Sequence, residues 1–204
     1  MSQELINHSD DLKKLQNEGY EIDVNNGYGI VSHIPYLKAN GEIDYGILVS
    51  KIALVGDKAN YDGDHVIYFS GEQPCNIDGT EITPIKHCET NSVFAGINVK
   101  RSFSNKPEGN YKDYYEKFVN YANIISFPAI AKDSSVTAKT FKKVVTEENS
   151  VFQYVDTNSS RAGIDNCNRK MLNKKIAIIG LGGTGAYILD LVSKTNVNEI
   201  HLID

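Results

Sequence analysis

Lys174-Lys-Ile-Ala-Ile-Ile-Gly180-Leu-Gly182-Gly183-Thr-Gly185-Ala-Tyr-Ile-Leu-Asp-Leu-Val-Ser-Lys194 is the stretch on which the reading of this chain turns. An apolar run, Ile176 to Ile179, enters four glycines packed into six positions, and an amphipathic segment follows. Glu199-Ile-His-Leu-Ile then reads as a second strand ending in Asp204, nineteen residues after Gly185. That order predicts strand, tight turn, helix and strand. Glycines let a backbone approach phosphate closely, the helix start offers free N–H groups, and a downstream acid can reach a ribose hydroxyl. The plain alternative for Gly180, Gly182, Gly183 and Gly185 is a tight strand-to-helix turn that binds nothing. For Asp204 it is an acid that happens to end a strand, and for Lys174 and Lys175 solvated side chains.

Upstream, residues 1–150 read as an α+β leader domain and 151–204 as the start of a second, α/β domain. Ser9 or Asp10 caps a short helix through Leu12 and Leu15, stopped by Gly19. Tyr20–Val24 and Gly29–Ile34 form strands joined at Asn25-Asn26-Gly27, a hairpin signal, with Pro35 closing the second. Tyr45–Val55 and Asp64–Ser70 are further strands, and 71–79 is loop. Tyr114 or Tyr115, Phe118, Tyr121 or Ala122 and Ile125 recur at helical spacing, and Pro128 ends or interrupts that helix. Asp156-Thr-Asn-Ser-Ser caps a helix over about Arg161 to Leu172.

Composition bounds the function. Of the 204 residues 41% are hydrophobic and 23% charged, ordinary for a globular chain. The net charge of −5 argues against a general nucleic-acid or anionic-membrane binder. No run approaches the roughly 18 apolar residues of a membrane span, and the first residues lack the pattern of a signal peptide. Cys75, Cys88 and Cys167 are sparse and unpaired in spacing, which fits reduced thiols in the cytoplasm.

The glycine turn with its strands fits NAD enzymes as well as ATP enzymes. Three features favour ATP: the adjacent Gly183, Ser159-Ser160-Arg161 ahead of the first strand, and about 150 residues before the turn. At Ile176-Ala-Ile-Ile-Gly-Leu-Gly-Gly-Thr-Gly and Glu199-Ile-His-Leu-Ile-Asp the chain resembles the ThiF/MoeB/HesA family, which includes ubiquitin-activating enzymes. More widely it resembles bacterial ThiF-type adenylyltransferases with an uncharacterised leader. The marks of that leader are His33-Ile-Pro-Tyr, His65-Val-Ile-Tyr-Phe-Ser-Gly-Glu-Gln-Pro-Cys75, Asp78-Gly79, Phe103-Ser-Asn-Lys-Pro and Tyr154-Val-Asp-Thr-Asn-Ser-Ser-Arg-Ala-Gly.

The resemblance implies an α+β leader followed by the first β-α-β unit of a truncated Rossmann-like α/β ThiF domain. It implies an ATP-dependent nucleotidyltransferase activating the C-terminal carboxylate of a ubiquitin-like, multi-ubiquitin-like or sulfur-carrier protein. A homodimer is compatible with it. Gly180, Gly182, Gly183 and Gly185 match the family's ATP-phosphate turn, and Asp204 its ribose-binding acid. Arg161 falls where the family has an arginine that reaches the partner subunit's ATP, but it stands closer to the turn than usual. The ligands of Mg²⁺, the further phosphate-binding cations and the family's catalytic cysteine are expected beyond residue 204, so these residues by themselves are expected to be inactive. Two rival readings stay open: an NAD(P)-dependent oxidoreductase with an accessory domain, and a non-catalytic partner-binding scaffold.

Cys75, in Pro74-Cys75-Asn76, is a second candidate, either as a thioester-carrying thiol or, with His87 and Cys88, as a metal ligand. The adjacency of His87 and Cys88 suits a tetrahedral site poorly. A half-buried thiol beside a turn is the plain reading.

Overall fold

In a computed structural model the described residues are 2–56, 58–142, 151, 164, 167 and 170–204. The chain divides into two compact units, 1–146 and 147–204.

The first unit is built on one antiparallel sheet. Its strands are β1 (Glu21–Asn25), β2 (Tyr28–Leu37), β3 (Ile43–Lys51), β6 (Val66–Ser70), β7 (Lys86–Phe94) and β8 (Ile97–Ser104). The spatial order is β1-β2-β3-β6-β8-β7, with the short hairpin β4 (Leu54–Val55) and β5 (Lys58–Ala59) apart from it. Asn26 and Gly27 both take positive φ, 48° and 78°, the backbone that a two-residue turn needs to match strand twist.

Helices α1 (Ser2–His8), α2 (Asp10–Asn17) and α3 (Tyr114–Lys132) complete the unit. In α3, Tyr114, Phe118, Tyr121, Ala122 and Ile125 bury one stripe against Val31, Leu48, Ile67, Phe69 and Phe103. Asp113 caps α3 by accepting from the Glu116 amide at 2.7 Å, and the Glu116 carboxylate accepts from the Lys112 amide at 2.7 Å. Within this core Tyr114 Oη accepts from the Ala53 amide at 2.8 Å, and Tyr121 Oη accepts from the Asn105 amide at 2.6 Å.

The second unit holds β9 (Lys175–Ile179), α4 (Gly183–Val192) and β10 (Glu199–Ile203). β9 and β10 pair in parallel, Lys175 opposite Glu199 and Ile179 opposite Ile203.

These observations correct the expected fold class. The described residues are mainly a six-stranded antiparallel sheet with few helices, a small β-rich arrangement. It is not an α+β leader followed by a Rossmann-like unit. The expectation missed β7 and β8 altogether, so the helices weighed too heavily. A doubly wound fold rests on a wide parallel sheet covered on both faces. Among the described residues the parallel pair has two strands of five residues, and α4 buries none of its side chains.

Smaller corrections have local causes. Pro35 does not close β2, which runs on to Leu37 with Pro35 opposite Tyr45. β1 pairs only as far as Ser32, so the absent proline N–H falls where that partner has ended. Between Val31 and Ile34 the register slips by a bulge, and His33 takes a φ of 61° there with its ring stacked on Tyr45. Pro128 does not end α3, which continues to Lys132. The expected strand 45–55 ends at Lys51, and Leu54–Val55 joins the separate hairpin. The expected helix over 161–172 begins outside the described residues.

Candidate functional site

The glycine turn joins β9 to α4 by two backbone constraints that only glycine meets easily. Gly180 has φ 85°, a left-handed conformation that a Cβ would strain. Gly185 sits in the first turn of α4, where an added Cβ would overlap the Gly180 carbonyl oxygen. Around them the Gly180 amide donates to the Ile203 carbonyl at 2.7 Å, and the Ala186 amide donates to the Gly182 carbonyl at 3.0 Å.

Gly182 and Gly183 are different. Neither has positive φ, and a Cβ on either would meet no described atom within 4 Å. Gly182 is the N-cap of α4, and no side chain caps that end. The start of α4 thus carries no side chain at 182 or 183 and has room for one among the described residues, and it is the positive end of the helix dipole.

Asp204 comes to the same turn. One of its carboxylate oxygens accepts from the Leu181 amide at 3.0 Å, so the acid stands beside the glycines in space and not merely downstream of them. Lys175 pairs with Glu199 at 2.5 Å across the two strands, with both side chains exposed, and this pair lowers the Glu199 carboxyl below its usual range. Lys174 donates its amide to the Met171 carbonyl at 3.2 Å. Arg161 lies outside the described residues.

Cys75 is placed elsewhere. It is buried where its amide donates to the Leu37 carbonyl at 2.9 Å, and its Sγ lies 3.4 Å from the Gln73 carbonyl oxygen. Burial pushes this thiol up, with Glu81 adding to the effect, opposite to what a thiolate nucleophile needs. The backbone carbonyl of His65 is taken by Tyr121 Oη at 2.6 Å. His87 and Cys88 do come together, on β7, and share a partner that the sequence reading passed over, Ser102 of β8. No group of three His, Cys, Asp or Glu among the described residues is arranged to hold a metal ion. No helix of the described residues is long and apolar enough to cross a membrane.

Nothing in the sequence marks Ser102. It becomes visible only through the strand pairing, because the register of β7 on β8 slips beside it.

No curated protein and no solved structure matches the chain. A family described as a domain of unknown function, DUF6791, matches residues 10–157, more than half of the chain and most of the first unit, ending before the glycine turn. The chain belongs to the DUF6791 family.

Proposed function

We propose that the turn from Gly180 to Gly185 binds the phosphates of ATP. We further propose that the chain serves an ATP-dependent adenylyltransferase acting in the cytoplasm on the C-terminal carboxylate of a ubiquitin-like or sulfur-carrier protein. The observation that carries the reading is a pair of glycines the turn itself does not require. Gly180 and Gly185 are explained by backbone geometry and close packing, whereas at Gly182 and Gly183, at the start of α4, an added Cβ would meet no described atom within 4 Å. Bare amides at a helix start suit an anion, and ordinary side chains at 182 and 183 would obstruct one.

Asp204 supports the same reading. With one oxygen holding the Leu181 amide, its second carboxylate oxygen is a candidate acceptor for a ribose hydroxyl. In adenylation a carboxylate attacks the α-phosphate and pyrophosphate departs. A phosphate turn contributes positioning and charge stabilisation to such a step rather than covalent chemistry. The resemblance of the turn and of Glu199–Asp204 to ThiF-type enzymes supports the choice of reaction.

Calorimetric titration of the chain with ATP, NAD and NADP tests this. ATP is expected to bind, and Gly183→Val, which places a branched side chain over the amides, is expected to weaken it at least about tenfold, or ~1.4 kcal/mol. Circular dichroism of that variant should match the parent, since a Cβ there meets no neighbour. Preference for NAD or NADP would replace the proposal with a dinucleotide site. Absence of any nucleotide heat would leave a scaffold.

A further inference from the structure

We propose that Cys88 is a reactive thiol, a site of exchange with small organic disulfides, its proton carried through Ser102 to His87. The site lies in the first unit and is independent of the glycine turn. A register slip builds it. Lys86 pairs with Phe103 and Cys88 with Ser102, so β7 advances two residues while β8 advances one. In a regular strand His87 and Cys88 would point to opposite faces. The bulge brings both to one hydroxyl.

Ser102 Oγ lies 3.0 Å from Cys88 Sγ and 2.9 Å from His87 Nδ1. The direct Sγ to Nδ1 separation is 3.8 Å, and the hydroxyl also lies 3.4 Å from the Cys88 carbonyl oxygen. Ser102 is buried, at 2% exposure, whereas His87 and Cys88 are exposed. The serine is thus a fixed relay beneath two groups that reach solvent. With the imidazole neutral and its proton on Nε2, Nδ1 accepts from the Ser102 hydroxyl, and that oxygen accepts from the Cys88 thiol.

The surroundings suit an organic disulfide. β7 is the last strand of the sheet among the described residues, none of which pairs along its outer edge as a strand. Tyr68 pairs directly with Ser102, its ring 4.5 Å from that of Phe94, which stacks 4.9 Å from Tyr28. Tyr68 thus stands on the strand beside Ser102, and Phe94 and Tyr28 extend that apolar surface. The neighbouring charges are already engaged or opposed: Lys86 pairs with Glu81 at 2.7 Å, and Glu89 stands across from Arg101.

In the exchange, Cys88 sulfur attacks one sulfur of the disulfide, a new S–S bond forms and the old one breaks. The Cys88 proton passes to Ser102 as the serine proton passes to His87 Nδ1, and His87 gives one proton to the released sulfur or, where that sulfur departs as a thiolate, to solvent. Cys88 is oxidised to the mixed disulfide and the departing sulfur is reduced.

The test follows thiolate release when the whole chain is mixed with dithiobis-nitrobenzoate, with mass mapping of the three cysteines. Cys167 is the exposed internal reference, and Cys75 is buried. Cys88 is expected to react at least about tenfold faster than Cys167 at neutral pH, and His87→Gln and Ser102→Ala are each expected to slow it by roughly tenfold or more. Cys167 should keep its rate in both variants. His87 is exposed, so its variant keeps the test valid if the buried serine change unsettles the fold. Equal rates at Cys88 and Cys167, or an unchanged Cys88 rate in His87→Gln, would overturn the proposal.

Discussion

At Lys117 the fold carries an ammonium group into the core. The residue is fully buried on α3, and its Nζ donates to Ser50 Oγ at 2.8 Å. Desolvation pushes its pKa down to about 8, against the opposing pull of Asp64 and Asp62. The folded chain therefore holds fewer protons here than the unfolded one between about pH 8 and the usual lysine value near 10.5. Stability is expected to rise with pH across that window, because the cost of the buried charge is present below about pH 8 and disappears as the unfolded chain also deprotonates. Lys117→Met keeps the straight chain and removes the charge. It is expected to raise the unfolding free energy at pH 7 by about 1–3 kcal/mol. Urea melts at pH 7 and pH 10 check both statements: the gap between variant and parent should shrink at the higher pH. A variant less stable than the parent at pH 7 would show that the Ser50 bond outweighs desolvation.

Residues also differed in how far they could be read beforehand. The strand, glycine turn, helix and strand around Asp204 were legible because they lie in short-range order, and Asp204 does stand against the turn. Cys75 reads from Pro-Cys-Asn as a half-buried thiol beside a turn or as a reactive one, and the structure buries it, with the Leu37 carbonyl on its amide and the Gln73 carbonyl near its sulfur. Of these two only Leu37 is far away in sequence, brought there by the chain's folding. Ser102 was illegible for the same reason: its partners meet only through pairing.

Among the elements, the Asn26-Gly27 hairpin and the buried stripe of α3 could be read because turn residues and helical spacing are local signals. β7 and β8 could not. Lys86-His-Cys-Glu-Thr-Asn-Ser-Val-Phe carries two register slips and exposes most of its side chains, so clean two-residue alternation is lost. Pro35 and Pro128 misled in the opposite direction. Pro35 sits where β1 has already ended, and Pro128 lies inside a helix that runs on to Lys132, so proline's usual breaking role places both boundaries too early. The start of α3 gives an element-scale prediction. Asp113→Ala removes the acceptor of the Glu116 amide and is expected to lower stability by about 1 kcal/mol, read as a reduced urea midpoint with unchanged slope. A midpoint equal to the parent's would mean that the neighbouring Glu116 contact fixes the helix start without the cap.

For the molecule as a whole, the fold expectation was wrong in a specific way. Short motifs carry local chemistry but leave no trace of the sheet that organises most of the described residues. The six antiparallel strands form the larger unit, and the glycine turn belongs to a separate, smaller one. The family match covers most of the first and ends at residue 157, so the glycine turn is judged on its own geometry. The proposed activity consequently rests on whether bare amides at the start of α4 receive phosphate. Amide nuclear magnetic resonance of the isotope-labelled chain during titration with ATP addresses this residue by residue. The signals of Leu181 to Gly185 are expected to move together and saturate, while those of the β7–β8 hairpin stay fixed. If millimolar ATP leaves the glycine amides unmoved, or shifts signals only elsewhere, the phosphate-binding account is contradicted.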